Sequence, residues 1–175
     1  MSLPSGRILG IHTKGVVPDR ASAKALLEKA GDTVIVRRGR LRWLVMLCPS
    51  GCGDEIAINL DTRVGPAWRL YQSKAGLTLF PSVWRETGCK SHFVIWNGKI
   101  WWFDADFPLD FTDEERALED RVLGLLANSN RPVNYVDVAD TLSEVPWSVL
   151  VAFRRLAKIG RVREVDRERG VFELS

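Results

Sequence analysis

A serine and a histidine ten positions apart, Ser82 and His92, are the residues of this 175-residue chain best suited to chemistry. A hydroxyl is barely nucleophilic at neutral pH unless a neighbouring base takes its proton. Imidazole is the base whose ordinary pKa lies near 7. The chain has two histidines, and the other, His12, stands among Ile11, Thr13 and Lys14, where a solvated surface side chain is the plain reading. The three cysteines make a second candidate set, Cys48-x3-Cys52 and Cys89-x2-His92. Soft ligands paired at short spacing suit zinc, and small residues between Cys48 and Cys52 make a tight knuckle. The alternative is three buried thiols packing as small apolar groups. The two chemistries compete for one imidazole, because a ring nitrogen bound to metal cannot also accept the serine proton.

Two strands must position the serine and histidine. Leu77, Leu79, Phe80, Val83 and Trp84 read as one, and Phe93, Val94, Ile95 and Trp96 as the other. Arg85-Glu86-Thr87-Gly88 lies between them, with Gly88 free to take the left-handed conformation of a short hairpin loop. Pairing around a three-residue loop, Glu86 to Gly88, sets Ser82 opposite His92, Val83 opposite Ser91, Trp84 opposite Lys90 and Arg85 opposite Cys89. Opposed residues have Cβ atoms about 4.5–5.5 Å apart, within hydrogen-bond reach for a hydroxyl and an imidazole. The same register sends Cys89 and Ser91 to the other face, and a slip of one residue would undo it.

Upstream, residues 1–18 read as an irregular lead-in with one short strand. A helix follows, capped by Asp19 or Ser22, running through Ala30 and ended by Gly31. Thr33–Arg37 and Leu41–Leu47 read as a hairpin, and the second strand runs into the cysteine knuckle. Ile56–Leu60 and Ala67–Tyr71 read as further strands. After the Asn97-Gly98 turn, Ile100–Phe103 closes a mostly antiparallel sheet. Residues 104–110 read as a linker. Thr112 or Asp113 then caps a helix with the stripe Leu118, Val122, Leu125, Leu126. Asn134 opens a second helix and Pro146 a third, which Gly160 stops. Arg161–Val165 and Val171–Leu174 read as a terminal hairpin. The expected class is α+β: a lead-in and short helix over 1–32, a β-rich domain with a cysteine knuckle over 33–107, and a winged helix-turn-helix-like domain over 112–175.

The totals set bounds. Lys and Arg number 15 against 10 Asp and Glu over 1–112, and 10 against 12 over 113–175, so neither part has the strongly basic balance of a dedicated nucleic-acid binder. Arg154, Arg155, Lys158, Arg161 and Arg163 could touch phosphates on a winged helix, yet Glu164, Asp166 and Glu168 stand beside them. A charged solvated face or a protein-docking module is the preferred reading, and nucleic acid is not the expected partner. No apolar run approaches the roughly 18 residues of a membrane span, and the start opens no secretory segment. Three cysteines without an export signal point to a reducing cytoplasm.

Cys48-Pro-Ser-Gly-Cys-Gly, Gly65-Pro-Ala-Trp-Arg-Leu, Pro81-Ser-Val-Trp and Gly88-Cys-Lys-Ser-His-Phe together resemble a bacterial family encoded beside ubiquitin-like modifiers in ubiquitination-like (Bub) operons. That family was formerly described as metal-binding and is now understood as serine proteases with a serine–histidine dyad. The resemblance spans about residues 33 to 103. It implies Ser82 as nucleophile, His92 as base and cleavage of ubiquitin-like conjugates. It also implies partners in the C-terminal tail of a ubiquitin-like protein and in E1- and E2-like enzymes of the same operon. Ser50 stands where some relatives carry a further cysteine, so a structural zinc would rest on Cys48, Cys52 and Cys89 with one outside ligand, or be absent. No organic cofactor is expected. Asp54, Glu55, Asp61 and Glu86 are the acids from which a third catalytic member would come. The rival reading is a non-catalytic zinc-binding adaptor, with His92 as fourth ligand and the C-terminal module binding DNA or a protein.

Overall fold

Short runs of β-branched and aromatic residues, broken by glycine and proline, build two facing sheets in the first of two units. The computed structural model describes residues 6–103, 113–129 and 131–175; the chain divides into Met1–Asp106 and Phe107–Ser175. The linker expected over 104–110 and the Thr112 cap lie outside the described residues.

The first sheet holds β1 (His12–Val17), β2 (Asp32–Arg38), β3 (Arg40–Leu47) and β4 (Glu55–Asn59) in that spatial order. β1 runs parallel to β2, and the remaining pairs are antiparallel. Between β1 and β2 lies α1 (Arg20–Lys24), whose first turn is capped by the Asp19 carboxylate accepting from the Ser22 amide at 2.8 Å. The helix stops short of Ala30, where propensity alone would carry it. Buried Asp32 accepts instead from the amides of Glu28 and Lys29 at 3.0 and 3.1 Å, folding the chain back into β2. A local side-chain acceptor has outcompeted helix continuation.

After a 3-10 turn at Thr62–Val64, the second sheet is formed by β5 (Arg69–Ser73), β6 (Gly76–Trp84), β7 (His92–Trp96) and β8 (Lys99–Trp102). It is antiparallel throughout, in the order of the sequence. Ile35, Leu44, Met46 and Ile58 from the first sheet meet Leu79, Phe93, Ile95 and Trp102 from the second in one buried core. Strand alternation is what delivers both sets to the inner faces. On the outer face of the first sheet, Val34, Val36 and Val45 pack with Ala23 of α1.

The second unit runs α2 (Asp113–Ala127), β9 (Val133–Asn134), α3 (Tyr135–Leu142), α4 (Pro146–Lys158), β10 (Val162–Asp166) and β11 (Val171–Leu174). Its sheet order is β10-β11-β9. Asn134 caps α3 by accepting from the Val136 amide at 2.8 Å, and Pro146 opens α4, where a missing N–H costs nothing. Phe153 of α4 stacks on Phe172 of β11 with ring centroids 4.4 Å apart. The whole is α+β with mostly antiparallel sheets.

Candidate active site

Ser82 and His92 sit on adjacent strands of the second sheet, with the Ser82 hydroxyl 3.0 Å from His92 Nε2. The expected register is not the one found. Trp84, not Ser82, stands opposite His92, and Val83 stands opposite Phe93. The connection is therefore longer than the expected three-residue loop, with the Arg85 amide donating to the Ser91 carbonyl at 3.0 Å. A simple two-residue shift would leave Ser82 and His92 diagonal neighbours, with Cβ atoms about 7–8 Å apart. The ladder is irregular there, however. Leu79 pairs with Ile95 and the next pair is Val83 with Phe93, so Phe80, Pro81 and Ser82 bulge against a single intervening residue, Val94. The Phe80–Pro81 peptide within this bulge is cis. A bulge re-aims side chains, and here the diagonal pair is in contact.

His92 is held by its ring faces as well as its edge. The Phe103 ring stacks on the imidazole with centroids 3.6 Å apart and planes within 7°. The Trp84 ring neighbours the same imidazole, tilted 30° with centroids 5.8 Å apart, and the Phe103 amide donates to the His92 carbonyl at 3.1 Å. Phe103 is a residue that sequence reasoning missed as part of the site, although a signal existed. Asn97 and Gly98 both take positive φ, as a two-residue hairpin turn requires. That turn pairs Phe93 with Trp102, so the next pair outward is His92 with Phe103.

Burial pushes the His92 pKa below its ordinary value, which keeps the imidazole neutral and able to accept a proton at neutral pH. Among the described residues no carboxylate bonds to it. Asp54 is taken by Arg85 Nη2 at 2.8 Å, Glu55 by Arg20 at 3.1 Å, and Asp61 by Arg42 and Arg63 at 2.5 and 2.6 Å. On the backbone side of the serine, the Trp68 indole N–H donates to the Ser82 carbonyl at 3.1 Å. His12 lies elsewhere in the unit, its Nδ1 3.5 Å from Asp32.

The three cysteines converge. Their sulfur atoms all lie within 4.8 Å of one another, and Cys48 and Cys89 are 3.7 Å apart. Tetrahedral zinc–thiolate bonds of about 2.3 Å would separate sulfurs by about 3.8 Å, so the donor set fits a metal ion. Hydroxyls approach as well: Ser50 Oγ lies 3.1 Å from Cys48 and Ser91 Oγ 3.2 Å from Cys89. Arg85 Nη1 donates to Cys52 and Cys89 at 3.4 and 3.5 Å. Burial raises the Cys89 pKa, but hydrogen bonds from Ser50 and Ser91 outweigh it and bring the thiol down to about 6. Cys52 is pushed up by burial. His92 is not a member of this cluster.

A serine hydroxyl bonded to a neutral imidazole can act as a nucleophile, the ring nitrogen taking its proton. Residues 18–103 match the family model described as bacterial ubiquitination-like system serine protease (BubE). No curated protein and no solved structure matches the chain. No helix among the described residues is long and apolar enough to cross a membrane.

Proposed function

We propose that the protein is a serine peptidase or isopeptidase that cleaves at the C-terminal tail of a ubiquitin-like protein, releasing it from conjugates or precursors. The observation that carries this reading is the 3.0 Å contact between Ser82 Oγ and His92 Nε2. Ser82 Oγ attacks the carbonyl carbon of the scissile amide while His92 Nε2 takes the hydroxyl proton. The tetrahedral intermediate collapses, the C–N bond breaks, and the imidazolium returns that proton to the leaving amine. Water, deprotonated by the same nitrogen, then attacks the ester carbonyl, the C–Oγ bond breaks, and the imidazolium returns the proton to Ser82 Oγ. Stacking by Phe103 holds the ring in plane, and the backbone bond that Phe103 shares with His92 anchors the stack; among the described residues no carboxylate joins the pair. Trp84 is 65 % and Phe103 52 % exposed, so the aromatic walls beside the serine are open to an extended tail. The family description supports a ubiquitin-like protein as the substrate, with the E1- and E2-like enzymes of the same system as further partners.

Cys48, Cys52 and Cys89 would hold a structural zinc. When bound it cross-links the knuckle after β3 to the loop that leads into His92. The rival adaptor reading assigned His92 to that metal. The bond to Ser82, away from the thiol cluster, favours the peptidase. In the second unit, helix, short strand, two helices and hairpin follow one another in winged-helix order, and we read it as a protein-docking module.

Incubation with a ubiquitin-like protein carrying a C-terminal extension tests the peptidase reading. Wild-type protein should release the extension, a fluorophosphonate should add to Ser82, and Ser82→Ala should do neither while melting as wild type does. Cleavage that survives Ser82→Ala would remove Ser82 as the nucleophile, and no cleavage together with loss of metal on His92→Ala would replace this reading with the adaptor.

A further inference from the structure

The nucleophile lies where β6 has left its ladder with β7. Between the Leu79–Ile95 and Val83–Phe93 pairs, the β6–β7 register breaks across Phe80, Pro81 and Ser82. On its other side β6 is last paired at Phe80, opposite Arg69 of β5. A backbone carbonyl in such a gap needs a donor from elsewhere. For Ser82 the donor is a side chain, the Trp68 indole, at 3.1 Å.

Trp68 is itself tied to the opposite sheet. Its amide donates to the Asn59 carbonyl at the end of β4, at 2.8 Å, and its ring packs against the core. Asn59 in turn knots the intervening loop. Its side-chain amide donates to the Pro66 and Asp61 carbonyls at 2.9 and 3.2 Å, and its Oδ1 accepts from the Asp61 amide at 3.0 Å. The Asp61 carboxylate accepts from Arg42 of β3 and from Arg63. Ser82 is therefore gripped twice: its carbonyl by a group braced on one sheet, its hydroxyl by His92 of the other.

We infer that Trp68 is a positioning residue for the nucleophile, its indole N–H holding the Ser82 backbone so that the hydroxyl stays on His92 Nε2. This rests on the serine peptidase reading, and it makes the 59–68 loop part of the catalytic apparatus although it touches neither reacting atom. Packing alone would ask only for the ring at position 68. The positioning role asks for the N–H, and Trp68→Phe separates the two because it keeps a ring and removes the donor. Ser82 is half-buried, so water can reach the freed carbonyl and the variant should fold.

The test measures Trp68→Phe against wild type and Ser82→Ala, using fluorophosphonate labelling, thermal melting and the 15N resonance of His92 Nε2. Misplacing a reacting group by an ångström can cost up to about 100-fold in rate. Labelling of Trp68→Phe should therefore fall roughly 10-fold or more, with melting within a few degrees of wild type and the Nε2 resonance shifted toward its Ser82→Ala position. Labelling within twofold of wild type, with the resonance unmoved, would overturn the inference. So would a labelling loss matched by a drop in melting temperature with the resonance unmoved. Should wild-type Ser82 resist the probe, the peptidase reading fails, and the Nε2 resonance still reports whether Trp68 holds the pair together.

Discussion

Burial lowers the pKa of His92, and the direction of that shift fixes the pH response expected of the site. The imidazole must be neutral to accept the serine proton. Activity should therefore rise with pH along a limb whose midpoint lies below the ordinary 6.5 of histidine, and disappear below it as the ring protonates. Phe103 supplies much of one face of that burial, at 3.6 Å between ring centroids. Phe103→Ala admits water to the ring, so the midpoint should move up toward 6.5, as followed in kcat/KM profiles between pH 4.5 and 8. A midpoint unchanged in that variant would mean that the stack contributes nothing to the shift. The pairing of Ser82 with His92 was readable from residue type and spacing, while the register that delivers it was not. The bulge falls at Phe80, Pro81 and Ser82, and the Ser82 carbonyl takes its donor from Trp68, fourteen positions upstream. No local pattern announces that donor.

At the scale of elements, most strands were legible because β-branched and aromatic runs alternate between glycine, proline and asparagine breaks. The β2–β3 and β7–β8 hairpins follow from their turns, Gly39 and Asn97-Gly98 taking positive φ. The parallel pairing of β1 with β2 was not legible, since neither strand marks its partner in sequence. Two predictions belong here. Gly76 opens β6 at φ +123°, and a Cβ there would lie 2.8 Å from the Gly98 amide nitrogen and 2.9 Å from its Cα. Both the backbone conformation and the clash oppose a side chain, so Gly76→Ala should cost about 1–3 kcal/mol in denaturant unfolding. The thiol cluster joins the knuckle to the 85–91 loop. Protein purified without chelator should carry one zinc per chain by elemental analysis. Cys48→Ser or Cys89→Ser should lose most of that metal and melt about 10 °C lower, corresponding to a loss of ~2 kcal/mol in a domain of this size. Undiminished stability of a metal-free variant would assign the cysteines to packing.

At the scale of the whole molecule, the open question is what the second unit recognises, and its charges narrow the answer. Five basic residues around α4 and the β10–β11 hairpin were candidates for phosphate contact, and two of them are committed within the unit. Arg155 is 5 % exposed, with Nη1 3.3 Å from Glu115 and Nε 3.2 Å from Glu119. Arg163 pairs with Glu173 across the hairpin. Burial pushes the Glu119 pKa up while Arg155 pulls it down, so removing the guanidinium would strand a carboxylate with little water. Arg155→Ala should accordingly destabilise the unit by about 3–5 kcal/mol rather than weaken any nucleic-acid complex. That leaves Arg154, Lys158 and Arg161 exposed at the surface. Neutralising three phosphates gives a salt slope no steeper than about −3, with affinity in the non-specific range of about 10⁻⁴ to 10⁻⁶ M. Titration of the full chain against duplex DNA between 50 and 200 mM salt checks this. Binding tighter than that range, with a steeper slope that relaxes on Arg154→Ala while melting stays unchanged, would place the unit among DNA readers. Weak binding that is indifferent to Arg154 leaves protein docking as its role, in keeping with an enzyme whose proposed substrate is another folded protein.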